Sequence, residues 1–131
     1  MMLLSDVRDF LKKLNIADNY YIGKLDTKQE RSIGVYQRQG GIARVAIGGL
    51  SCTSYDIKRV SILVHWSQNA KETEEKALEL FNKLIETEDV QMGDSKVYFI
   101  AMQVPEPIDV GLDDSGIYER VIQMDIYHER R

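Results

Sequence analysis
Leu3, Leu4, Val7, Phe10, Leu11 and Leu14 recur at intervals of three and four. That spacing places them on one face of an amphipathic helix ending near Asn15. The period then changes to two. Residues 19–25, NYYIGKL, predict a strand rich in Tyr and Ile. Residues 31–38, RSIGVYQR, predict a second, in which Ile33 and Val35 alternate with Ser32, Gly34 and Tyr36. Glycine pairs at 40–41 and 48–49 bracket a short apolar run, which predicts a short strand or hairpin arm with mobile flanks.

The strongest strand signal is DIKRVSILVHWS, residues 56–67. Val60, Ile62, Val64 and Trp66 share one face; Ile57, Leu63 and His65 share the other with Arg59 and Ser61. Apolar groups on both faces imply a central place in a sheet. Residues 69–88 predict the main helix, with Asn69 as its cap and Glu72 in a capping-box-like position. Glu72, Glu74 and Glu75 suit the positive end of its dipole. Ala77, Leu78, Phe81, Leu84 and Ile85 form the expected buried stripe. Two further strands follow, 96–104 and 116–129. In the last, Tyr118, Ile122, Met124 and Ile126 face one way; Glu119, Gln123 and Asp125 face the other, with Val121 as the exception, so one face is expected to be wet.

The implied order is α, β, β, a possible short β, β, α, β, β. It predicts an α+β fold: a single mixed or antiparallel β-sheet with two α-helices packed on one face. The expected core holds Phe10, Val60 or Leu63, Phe81, Leu84, and Ile122 or Met124. The 131 residues suit one domain, 1–131, with no linker or repeat.

Composition narrows the function classes. Net charge is −4 and no basic tract appears, which argues against a dedicated nucleic-acid binder and against sequence-specific nucleic-acid partners. A single cysteine, Cys52, excludes an internal disulfide and a thiolate metal cluster, and fits a reducing compartment. The amphipathic start lacks a signal peptide's continuous apolar run, and no stretch approaches a membrane span. A protein made in the cytoplasm, with no membrane partner, is expected.

Residues 105–116, PEPIDVGLDDSG, carry four acids, two prolines and two glycines. A calcium loop starting at Asp109 would need oxygen ligands at its first, third and fifth positions, Gly at the sixth and Glu at the twelfth. Gly111, Asp114 and Arg120 occupy the third, sixth and twelfth, so the pattern fails. DDSG before an alternating run reads as a turn entering a hairpin or strand. His65 and His128 lack the paired spacing of a zinc site. Cys52 and Ser61 lack a nucleophile motif, with His65 only a formal base, and the glycine pairs match no phosphate-binding loop. No catalytic residue, cofactor-binding residue or metal ligand is therefore assigned, and no enzyme is expected.

Two strings remain: LVHWSQNAKETE (63–74) and PEPIDVGLDDSGIYE (105–119). With the first helix, YYIGKLDTKQERSIGVY and the glycine-rich segment, the chain resembles the minor capsid and tail-terminator (head–tail joining) proteins of long-tailed bacteriophages and prophages of Gram-positive bacteria. The resemblance implies a structural virion protein without catalytic residues or cofactors. It implies a self-assembled ring of six copies that caps the tail tube and joins it to the head connector. The partners would be other copies of the chain, the tail tube protein and a head connector or completion protein. The place would be the tail–head junction, reached by assembly in the host cytoplasm.

Candidate contact residues are Ile42, Val45, Ile47 and Leu50 in the glycine-flanked segment. Ile108, Asp109, Val110, Leu112, Asp113 and Asp114 belong to the 105–116 connection. Pro105 and Pro107 are expected to make that connection stiff and protruding. Lys12, Lys13, Arg31 and Arg38 are candidate basic partners for its acids. Two alternatives stand beside this reading. One is a head-completion or neck protein that meets the portal. The other is a small ligand-binding α+β domain, which would need a closed pocket with convergent polar groups.

Overall fold
The computed structural model describes residues 2–23, 29–39 and 54–130. Two helices, α1 (Leu4–Leu14) and α2 (Ala70–Ile85), accompany seven strands. The strands are β1 (Asn19–Ile22), β2 (Ser32–Gln37), β3 (Tyr55–His65), β4 (Glu88–Met92), β5 (Ser95–Met102), β6 (Ile108–Leu112) and β7 (Tyr118–Glu129). They form one sheet in the order β1-β2-β3-β7-β5-β4, with β6 also paired to β7. β1 runs parallel to β2 and the other pairs are antiparallel, so the sheet is mixed. The α+β expectation holds.

The long pair β3–β7 is the centre of the sheet, in register from Tyr55↔Glu129 to His65↔Glu119. Alternation does the rest. Val60, Ile62 and Val64 of β3 and Ile122, Met124 and Ile126 of β7 point to one face and are fully buried there. Val7 and Leu11 of α1 and Ala77, Leu80, Phe81 and Leu84 of α2 join the same core cluster. Both helices thus cover one face. Phe10 packs against this cluster from its edge, partly buried, and Leu63 points away from it.

Helix ends follow local chemistry. Asn15 closes α1 in the left-handed conformation, φ 54°. The Asp6 carboxylate accepts the Leu3 N–H at 2.9 Å. Asn69 Oδ1 accepts the Glu72 N–H at 3.1 Å, the expected cap. The Glu72 side chain does not complete the reciprocal half. It accepts the buried Trp66 indole N–H at 2.8 Å, while the Asn69 N–H donates to Ser67 Oγ. A buried indole N–H without a partner is costly, so it takes the carboxylate.

Four expectations change. The buried stripe of α2 is Thr73, Ala77, Leu80, Phe81 and Leu84. Leu80 replaces Ile85, which is 52% exposed, and Leu78 lies on the flank. β4 was not expected; it pairs with β5 across a two-residue turn at Gly93-Asp94. The helix-free face of β7 is half-buried rather than fully wet, with Glu119, Val121, Gln123 and Tyr127 partly exposed. Its Asp125 is buried and held by the Arg38 guanidinium and by Gln103 Nε2 at 3.0 Å. Finally, residues 105–116 are not a protruding connection, as described next. The short strand expected within 39–54 falls largely outside the described residues. So do the candidate contacts Ile42, Val45, Ile47 and Leu50. Among the described residues, no helix is long and apolar enough to cross a membrane.

Candidate functional site
The segment 105–116 contains β6 and the turn that returns into β7. The prolines end before the strand begins. Pro107 is buried and lines a small hollow with Leu78 and Glu74 of α2, Glu106 and Arg120. Arg120 sits 3.7 Å from Glu74 and 3.8 Å from Asp109, joining helix, β6 and β7. The DDSG turn reads as expected. Asp113 Oδ1 accepts the N–H groups of Ser115 and Ile117, each at 2.9 Å, and Gly116 takes φ 78°. Asp114 is exposed.

β6 is irregular. Asp109 pairs with Arg120, and Gly111 pairs with Glu119, so Val110 is an extra residue. Gly111 stands at φ 84° and Asp109 Oδ1 accepts its N–H at 2.9 Å. This bulge separates the apolar residues that simple alternation would group. Ile108 lies opposite Val121 on the helix-free face, whereas Leu112 lies opposite Tyr118 on the helix side. Ile108, Val110 and Leu112 are 38%, 49% and 55% exposed. The hairpin therefore offers apolar side chains on two faces and at its edge. A bulge and flanking acids also twist and charge that edge, which discourages simple strand addition by another chain.

The hairpin tip also closes over a histidine. His65, on the helix-free face of β3, is fully buried. Its Nδ1 lies 2.8 Å from Glu119 Oε2 and 3.7 Å from Asp113 Oδ2. These ligand-type atoms all lie within 4.8 Å of one another. Asp113 Oδ2 is buried with no hydrogen-bond partner. Spacing in the sequence could not reveal this group, because His65 and Glu119 are brought together by strand pairing across 54 residues.

The candidate basic partners differ in their settings. Arg38 is bound to Asp125 and Arg31 lies 3.8 Å from Asp18. Lys12 and Lys13 are exposed in the last turn of α1. On the helix-free face, Phe99 stacks on Tyr127 with centroids 4.5 Å apart, and Tyr55 stacks at 5.7 Å. At the other end of the sheet an open hollow of about 340 Å³ is lined by Gln37, Arg38, Gln39, Ile57, Lys58 and Arg59. Its described lining brings together three cations, Arg38, Lys58 and Arg59.

These features describe an α+β domain with an exposed hairpin docked beside α2. Comparison of the chain with protein families matches residues 10–129 to the model described as bacteriophage tail terminator protein. The chain belongs to that family, and it is a structural protein of the phage tail. Among curated proteins, none matches the chain.

Proposed function
We propose that copies of this chain assemble into a ring that closes the tail tube and presents the joint to the head connector. The observation that carries this reading is the family match over residues 10–129. The exposed hairpin supports it. A closed ring is built from heterologous contacts, in which one patch meets a different patch on the next copy. Ile108, Val110 and Leu112 supply apolar area at one patch. Lys12 and Lys13 supply charge opposite in sign to Glu106, Asp109 and Asp114 at the other. Such exposed pairs select and orient partners more than they hold them, so the apolar contacts carry most of the affinity. The work is mechanical, without catalysis. The tail tube protein and a head connector or completion protein are its partners, and the tail–head junction of the virion is its place.

The test is sedimentation and electron microscopy of purified protein, paired with complementation of a phage lacking it. The double variant Ile108→Asp, Leu112→Asp should stay folded as a monomer, fail to form rings and fail to complement. Normal rings and infectious particles from that variant would remove the hairpin from the interface. A wild-type chain that stays monomeric at high concentration and in the presence of tail tube protein would overturn the ring itself.

A further inference from the structure
The geometry points to a cation site that the sequence motifs do not announce. We propose that His65, Asp113 and Glu119 bind one divalent first-row transition cation, which clamps the tip of the β6–β7 hairpin to the end of β3.

Three observations lead there. The first is spacing. Ligand atoms about 2.0–2.2 Å from a tetrahedral ion stand roughly 3.3–3.6 Å apart. The two separations from His65 Nδ1, 2.8 Å to Glu119 and 3.7 Å to Asp113, bracket that value. Side-chain shifts of several tenths of an ångström bring both into range.

The second is an unmet acceptor. A proton on Nδ1 serves Glu119 at 2.8 Å but is out of hydrogen-bond reach of Asp113 Oδ2 at 3.7 Å. That oxygen is buried without a donor, while its twin Oδ1 is fixed by the N–H groups of Ser115 and Ile117. A buried, unpaired carboxylate oxygen is costly. An ion held by all three groups removes that cost, and two carboxylates neutralise its charge.

The third is rigidity. The imidazole is fully buried, Glu119 is fixed opposite His65 by strand register, and Asp113 is fixed by its own turn. A preformed set of one imidazole nitrogen and two carboxylate oxygens suits zinc or manganese, and leaves a coordination position open for a further ligand. Bound there, the ion would stiffen the hairpin that carries Ile108, Val110 and Leu112.

The experiment uses the full chain, dialysed against chelator and titrated calorimetrically with zinc alone. Cobalt substitution, read by visible absorption, reports nitrogen–oxygen coordination. One ion per chain is expected, with Tm raised by several degrees at a large excess over Kd. Asp113→Asn keeps the turn acceptor, and Glu119→Gln keeps the shape; each should lose more than the roughly 10–100-fold that removing a group behind a ligand costs. His128→Gln should bind as wild type does. Hydrogen exchange on the wild type should show zinc-dependent protection of residues 113–119, a readout that stands even if a variant misfolds. No stoichiometric binding, binding retained in both acid variants, binding lost with His128, or no protection at the hairpin tip would each overturn the site.

Discussion

At the scale of single residues, a few side chains hold positions that no neighbour could take over. Gly93 turns β4 into β5 at φ 60°, and a Cβ there would stand 2.4 Å from Asp6 Cγ. Asp6 in turn accepts the Leu3 N–H at the start of α1. Gly93→Ala should therefore destabilise by about 1–3 kcal/mol, combining left-handed strain with a displaced Asp6. Urea unfolding checks this, and a change near zero would mean that the turn relaxes freely. Trp66 and Glu72 form a second such pair. Glu72→Ala strands a buried indole N–H and should cost about 1–3 kcal/mol, whereas Glu72→Gln, which keeps an acceptor, should cost less. Equal losses would show that charge at the helix start matters more than the indole bond. Asp113 is the third. Reversing its charge would break the turn it organises, so any loss of assembly in such a variant would be a folding effect. Asp114, exposed beside it, is the site at which charge alone can be tested.

At the scale of elements, α2 shows how a helical pattern fixes the presence of a helix more firmly than its orientation. Leu78, Leu80, Phe81, Leu84 and Ile85 offer more apolar positions than one stripe can hold. Packing against β7, β5 and β3 selected Leu80, Phe81 and Leu84. Phe81→Ala should cost about 3–5 kcal/mol and Leu80→Ala about 2–5 kcal/mol. Ile85→Ala should stay within about 0.5 kcal/mol, as surface changes do. Thermal unfolding of the three variants distinguishes this stripe from the one with Ile85 inside. The β6 bulge makes the same point for strands. One extra residue, Val110, sends Ile108 and Leu112 to opposite faces. A partner that touches both must embrace the hairpin rather than lie flat against it.

At the scale of the whole molecule, one face of the sheet is covered by both helices and the other carries half-buried and exposed groups, among them the Tyr55–Tyr127–Phe99 stack. Assembly is the property that this scale predicts. Asp114→Lys should weaken ring formation at low salt more than at high salt, because exposed charges are screened over about 10 Å at 0.1 M ionic strength. Sedimentation at two salt concentrations checks it. An equal effect at both would assign Asp114 a role other than charge.

The two helices, the central strands and the α+β class were legible in the chain because their signals are local. Leu4 to Leu14 repeat with the helix, Val60 to Trp66 alternate with the strand, and Asn69 caps where its side chain must. The turn at Asp113–Gly116 was legible for the same reason, as was the absence of any long apolar span. The family was legible in LVHWSQNAKETE and PEPIDVGLDDSGIYE, strings too particular to arise from secondary structure alone. Gly93-Asp94 was also a readable hairpin signal, although the charged strand before it, with Val90 between acids and Gln91, concealed β4.

What the tertiary structure alone decided are the matters settled by partners distant in the chain. Strand pairing across 54 residues set Glu119 against His65, and the hairpin turn then brought Asp113 over both. Packing on the sheet chose which flank of α2 is buried. Arg38 and Gln103 made a buried Asp125 tolerable on a strand expected to face water. Periodicity records a residue's relation to its own element, whereas burial, ion pairing and ligand geometry depend on which other element the fold places opposite it.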